Sequence, residues 1–122
     1  MPLPAEKAKT ILLVDDDPHI LETAQDILEA SGYQVRTAES GAGALEQLKA
    51  GPFHLMIVDF NLLDTTGIDL AVEAREIRPE MRIILMTGEA SVDLGPAHNA
   101  IHSTLTKPVN PAELLTLIEK TI

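Results

Sequence analysis

The sequence predicts an α/β domain: a five-stranded parallel sheet of order 2-1-3-4-5 with helices on both faces. Three observations lead there. Ile11-Leu12-Leu13-Val14, Leu55-Met56-Ile57-Val58 and Ile83-Ile84-Leu85-Met86 are continuous apolar runs, short and rich in β-branched residues, which read as strands buried on both faces. Segments with helical apolar spacing and clear start and stop signals lie between the runs. The first two runs end on carboxylates, and the carboxyl ends of buried strands are where open α/β sheets place their ligands.

Taken in order, the chain opens with a short flexible lead-in, residues 1–9, and the domain follows over residues 10–122. The first strand, Ile11 to Val14, runs into Asp15-Asp16-Asp17-Pro18, where Asp17 suits a helix N-cap and Pro18 its first turn. Ile20, Leu21, Ala24, Ile27 and Leu28 give that helix one apolar stripe, and Ser31-Gly32 ends it. Tyr33 to Ala38 alternates, as an edge strand does. Ser40 caps a short second helix carrying Ala44, Leu45 and Leu48, closed by Gly51-Pro52. His54 to Asp59 is the third strand, and Phe60 to Gly67 a loop rich in turn formers. Ile68, Ala71, Val72 and Ala74 through Ile77 make a third helix ending before Pro79.

After the fourth strand and Thr87-Gly88 the helical signal weakens. Gly95-Pro96 falls inside the stretch from Glu89 to His102, so the fourth helix is expected to be short or irregular. Thr104-Leu105-Thr106 alternates like an edge strand and leads to Lys107-Pro108. Asn110-Pro111-Ala112-Glu113 combines an N-cap, a first-turn Pro and a capping Glu, and Leu114, Leu115, Leu117 and Ile118 supply the last apolar face. Three central and two edge strands give the flavodoxin-like order, whose switch point lies between the first and third strands.

Composition narrows the function. A chain of 122 residues fits one domain with its own core. It has no cysteine, which excludes disulfides and thiolate metal sites. A reducing, cytoplasmic setting is the natural expectation. No apolar run approaches the roughly 20 residues that span a bilayer, so no membrane role is expected. A formal net charge of −10 argues against direct nucleic-acid binding.

Asp15, Asp16 and Asp59 end adjacent strands, where they repel one another unless a cation joins them. An oxygen-only donor set completed by water suits Mg²⁺. Thr87 ends the fourth strand with a hydroxyl and Lys107 follows the fifth with an ammonium, both at the same mouth. Carboxylates, a divalent cation, a hydroxyl donor and a lysine make a phosphoryl site. A carboxylate can itself be the nucleophile. Asp59 is best placed for that, since Asp15 and Asp16 are adjacent and can share the metal.

These positions, Asp15-Asp16, Asp59, Thr87 and Lys107-Pro108 along a (βα)₅ chain, resemble the receiver domain of two-component response regulators over Thr10 to Ile122. The resemblance implies a signalling domain rather than an enzyme with a separate substrate. Asp59 would accept a phosphoryl group from a phosphohistidine on a partner histidine kinase or phosphotransfer protein. Asp16, Asp59 and the backbone carbonyl of Asn61 would bind Mg²⁺, with Asp15 acting mainly through water. Thr87 and Lys107 would hold the phosphoryl oxygens, and their rearrangement would carry the signal.

The chain departs from the family in places. Leu63 stands where a Pro is usual, which would loosen the loop after Asp59, and Thr104 where an aromatic commonly swings inward. The interval from Thr87 to Lys107 is shorter than usual, so docking or dimerisation through the fourth-helix face is expected to differ or be lost. The pair Asn61 and Glu89 resembles chemotaxis-type receivers with short-lived phosphoryl groups. Two other functions stay open: a pseudo-receiver acting without phosphate, favoured by the disturbed fourth helix, and a phosphohydrolase using the Asp-x-Asp spacing of Asp15 to Asp17. His19, His54, His98 and His102 have no metal-ligand spacing and read as surface or capping residues. Asp64 reads as a turn residue.

Overall fold

The computed structural model describes residues 9–89 and 92–122. Along the chain run β1 (Thr10–Val14), α1 (Pro18–Ala30), β2 (Gln34–Ala38), α2 (Gly41–Ala50), β3 (Leu55–Asp59), α3 (Gly67–Ile77), β4 (Arg82–Thr87), β5 (Ser103–Thr106) and α4 (Pro111–Thr121). The strands form one parallel sheet in the expected order β2-β1-β3-β4-β5.

The continuous apolar runs follow from burial on both sides. Leu12, Val14, Met56, Val58, Ile83 and Leu85 point to the face covered by α2 and α3, through Ala44, Leu48, Leu70, Ala71 and Ala74. Their strand neighbours Ile11, Leu13, Leu55, Ile57, Ile84 and Met86 face α1 and α4, through Leu21, Leu28, Leu114 and Ile118. Alternate residues therefore serve two cores, and no polar residue fits inside a central strand. The edge strands β2 and β5 alternate in burial, as read from sequence.

The predicted caps form. Asp17 accepts from the His19 amide at 2.9 Å, the Ser40 hydroxyl from Gly43 at 3.0 Å and Asn110 from Ala112 at 2.8 Å. Thr66 caps α3 in the same way, accepting from Asp69 at 3.1 Å. Each cap satisfies an amide that the helix cannot bond internally.

Between β4 and β5 the described residues contain no α-helix, only a single 3-10 turn at Gly95–Ala97. Gly95 adopts φ +52°, and its amide is held by Asp93 at 2.9 Å. A left-handed Gly followed by Pro96 cannot propagate a helix, which is the outcome expected of this stretch. The crossover still seals the core with Ala97, Ala100 and Ile101, and Arg75 of α3 donates to the Asn99 carbonyl at 2.6 Å. Residues 90–91, and the expected lead-in up to residue 8, lie outside the described residues.

Two histidines extend the sheet. The His54 amide donates to the Thr10 carbonyl at 2.9 Å while the Thr10 amide donates to His54 Nδ1 at 3.0 Å. His102 repeats this ring with Ile83, at 2.8 and 3.1 Å. In each, Nδ1 of the imidazole stands in for a carbonyl as the acceptor. Burial, aided by the nearby Arg82 and Arg75, lowers the His102 pKa. A base with a depressed folded pKa contributes stability above its unfolded value, about 6.5, that is lost as pH falls through the folded value. His102→Ala is expected to cost about 1 kcal/mol near pH 7.5. It should also flatten the loss of stability on acidification, read by urea unfolding across that range.

Candidate functional site

The topology carries the site. Val14 pairs with Val58 and Asp59 with Met86, so Asp15 leaves β1 beside Asp59 while Thr87 ends β4 on the other side. Lys107 follows β5, and its amide donates to the Thr87 carbonyl at 2.8 Å. The Lys107–Pro108 peptide is cis. Four strand ends thus deliver the predicted residues to one mouth.

Asp15, Asp59 and Thr87 are the only buried polar side chains among the described residues, 1 %, 7 % and 4 % exposed in a core otherwise apolar. Lys107 Nζ lies 2.6 Å from an Asp59 carboxylate oxygen and 3.6 Å from Asp15 Oδ2. Burial works against the Lys107 ammonium, but the hydrogen bond it donates to Asp59 and the charges of both carboxylates outweigh that and raise its pKa. The ammonium is therefore protonated throughout the physiological range. Asp15 moves upward, chiefly through burial, with the charge of Asp59 adding and the Asp17 amide and Lys107 opposing. Its Oδ1 accepts from the Asp17 amide at 3.0 Å, whereas its buried Oδ2 has no hydrogen-bond donor. A raised carboxyl costs the fold at neutral pH, and one lysine shared between two carboxylates offsets that cost only in part.

The donor set fits a hard divalent cation. Carboxylate oxygens of Asp15, Asp16 and Asp59 lie within 4.8 Å of one another, and the unbonded Asp15 oxygen adds an acceptor lacking a donor. The β3–α3 loop folds back as a tight hairpin, with Leu62 N donating to Thr65 O at 3.1 Å and Gly67 N to Phe60 O at 2.7 Å around the Asn61–Thr66 bridge. In a bridge of this kind the bonds come from the flanking residues, so the Asn61 carbonyl is not used by the pairing. Thr87 Oγ1 accepts from the Glu89 amide at 3.1 Å, which leaves its proton to donate. Beside Lys107 opens an apolar groove of about 660 Å³ between α1 and the start of α4, lined by Ile20, Ala24, Ile27, Val109 and Leu114.

Asp64 does more than turn the chain. Its two carboxylate oxygens accept from the Gly41 and Ala42 amides at 2.8 and 3.0 Å, and those bonds lower its pKa. The loop after Asp59 is thereby tied to the first turn of α2 at the residue that follows Leu63. Asp17 caps α1 as read from sequence, and His54 and His102 extend the pairing of β1 with β3 and of β4 with β5.

A family model described as the response regulator receiver domain matches residues 11–119. The response regulator receiver protein CpdR of Brucella abortus is 38% identical over 114 residues, covering 92% of this chain and 95% of that protein. The transcriptional regulatory protein GlrR of Escherichia coli is 34% identical over 94% of this chain, which spans only 26% of that protein's length. Among solved structures, a CheY-like receiver domain from Methanospirillum hungatei superposes with a TM-score of 0.88 at 36% identity, covering 93% of each chain. The response regulator TrrA of Thermotoga maritima, solved with Mg²⁺-BeF, gives 0.85 at 32% identity over 93% of this chain and 99% of that one. No helix among the described residues is long and apolar enough to cross a membrane. The chain belongs to the receiver domains of two-component response regulators, signalling domains whose family role is a phosphorylation-dependent switch.

Proposed function

We propose that Asp59 is the phosphoacceptor of this receiver, taking its phosphoryl group from a phosphohistidine of a partner kinase or phosphotransfer protein. An Asp59 oxygen attacks phosphorus, the phosphorus–nitrogen bond breaks, and its electron pair returns to the donor imidazole, which takes up a proton. Asp59 ends as an acyl phosphate. The observation that carries this is the contact of buried Asp59 with Lys107 inside a three-carboxylate cluster. Lys107 releases its bond to Asp59 and turns to a phosphoryl oxygen, while Thr87 donates to another. Asp16, Asp59 and the Asn61 carbonyl would hold Mg²⁺, with Asp15 acting through water, and the ion would neutralise charge on the transferring oxygens.

The unit is residues 10–122, acting in the cytoplasm on protein partners, with neither nucleic acid nor membrane engaged directly. Thr104 is exposed on β5 and offers no aromatic to swing inward. The signal therefore leaves through the Lys107 and Thr87 connections and an irregular fourth crossover, not through a regular fourth helix.

Incubation with acetyl phosphate and Mg²⁺, followed by intact mass, tests the reading. One phosphoryl group per chain is expected, lost when EDTA is added first; an unchanged mass favours a pseudo-receiver. A second outcome concerns lifetime. Asn61 and Glu89, two residues after Asp59 and Thr87, form the pair that resembles chemotaxis-type receivers, so the acyl phosphate is expected to decay within minutes of removing the donor. Persistence for hours in Mg²⁺ buffer would refute that.

A further inference from the structure

The hairpin between β3 and α3 has little to hold its far end. Phe60 and Leu62 pack on the core, but Asn61 and Asp64 are exposed and Leu63 is 86% exposed. Leu63 also leaves the backbone with freedom that an imino acid would remove. What the outer end does have is Asp64. The first turn of α2 presents three amides; Ser40 takes that of Gly43, and Asp64 takes those of Gly41 and Ala42, one with each carboxylate oxygen. A carboxylate is favoured at that helix end by the aligned peptide dipoles as well as by the bonds. The fit is close on the other side too: a Cβ on Gly41 would lie 2.5 Å from Thr65 Cγ2 and about as near Asp64 as van der Waals contact allows.

We propose that Asp64 is a positioning residue for the phosphoacceptor site: by clamping the hairpin to α2 it holds the Asn61 carbonyl where a metal on Asp16 and Asp59 requires it. This rests on the reading of Asp59 and its metal given above. The hairpin transmits the constraint because the Leu62–Thr65 and Phe60–Gly67 bonds lock Asn61 opposite Thr66, two residues beyond Asp64. α2 lies on the face of the sheet opposite α1 and α4, so the clamp also joins the site to a helix that contributes no ligand.

The test is Mg²⁺ affinity by calorimetry in the full chain, with amide exchange of residues 60–67 in metal-free protein and acetyl-phosphate uptake alongside. Asp64→Ala is expected to weaken Mg²⁺ binding about tenfold, the low end of what loss of a supporting hydrogen bond costs a metal site. It should slow phosphoryl uptake in parallel and quicken exchange at residues 61–66. Asp64→Asn keeps one acceptor oxygen and should fall between. Gly41→Ala attacks the same contact sterically while favouring the helix, so it should weaken Mg²⁺ binding without lowering Tm, and Thr65→Ser added to it should restore binding. If Asp64→Ala does not fold, the Gly41 pair decides. Wild-type Mg²⁺ affinity in folded Asp64→Ala, or in Gly41→Ala, would overturn the proposal. A wild-type chain that binds Mg²⁺ but gains no phosphoryl mass would overturn the reading of Asp59 and leave the Mg²⁺ comparison to judge Asp64. A wild-type chain that binds no Mg²⁺ overturns both.

Discussion

Asp59→Asn is expected to abolish phosphoryl gain from acetyl phosphate completely, with the fold intact by far-UV circular dichroism. The substitution keeps the shape of the side chain and removes the proposed anionic nucleophile, so no acyl phosphate can form at this position. It also removes one of the two carboxylates that share Lys107. The ammonium then pairs with Asp15 alone, and the charge of Asp59 no longer pushes the Asp15 carboxyl upward. Stability should consequently hold or rise slightly at neutral pH even as chemistry is lost, because repulsion between buried carboxylates is relieved. Mg²⁺ affinity should fall at the same time, since a ligand charge is gone. A mass gain that survives Asp59→Asn would place the acceptor elsewhere. If that gain were lost in Asp15→Asn instead, the phosphohydrolase reading of the Asp15 to Asp17 spacing would return.

Gly67→Ala should give the largest loss of stability of any single methyl added to this chain. Gly67 opens α3 directly against the end of β3: a Cβ there would sit 2.4 Å from the Asp59 carbonyl oxygen and 2.8 Å from Leu85 Cδ1. Neither neighbour can give way, since Asp59 ends a strand paired on both sides and Leu85 is fully buried in β4. The reason is space and not backbone conformation, as Gly67 is not among the glycines of positive φ. Overpacking of this kind costs about 3 kcal/mol when the neighbours are fixed. For a domain of this size the Tm should fall by roughly 10 °C. Because the displaced atom belongs to Asp59, Mg²⁺ affinity should drop as well. Gly51→Ala is the control: nothing lies within 4 Å of its Cβ, and its extended backbone suits any residue, so Tm should barely change. Equal Tm values for the two variants would mean that α3 does not seat against β3 as closely as described.

Much of this was legible in the residues. Leu55 to Asp59 is readable because a central parallel strand is buried on both faces, so every position must be apolar until the strand leaves the sheet. The carboxylate that ends it is then conspicuous. Asp17, Ser40 and Asn110 are readable because capping is local, acting within three residues. Gly95-Pro96 is readable for the same reason, since both residues act on their own backbone. Asp64 is readable as a turn residue, but its further role is not, because its partners, Gly41 and Ala42, are more than twenty positions away in the chain and no periodicity marks them. His54 and His102 were similarly opaque. Each looks like an isolated surface histidine until the strand beside it is known, and only then does Nδ1 meet an amide from Thr10 or Ile83.

By itself, then, the sequence determined the elements, their order in the sheet and the set of residues at its mouth. Those follow from burial and from local backbone chemistry, which act over a few residues and leave a pattern in the chain. Tertiary structure alone decided how those residues share their charges. It gave Lys107 to Asp59 and Asp15 together, left one Asp15 oxygen without a donor, and tied the Asp59 loop to α2 through Asp64. Hydrogen bonds and ion pairs depend on distances of a few tenths of an ångström between groups remote in sequence, and such distances exist only once the sheet has brought its strand ends together.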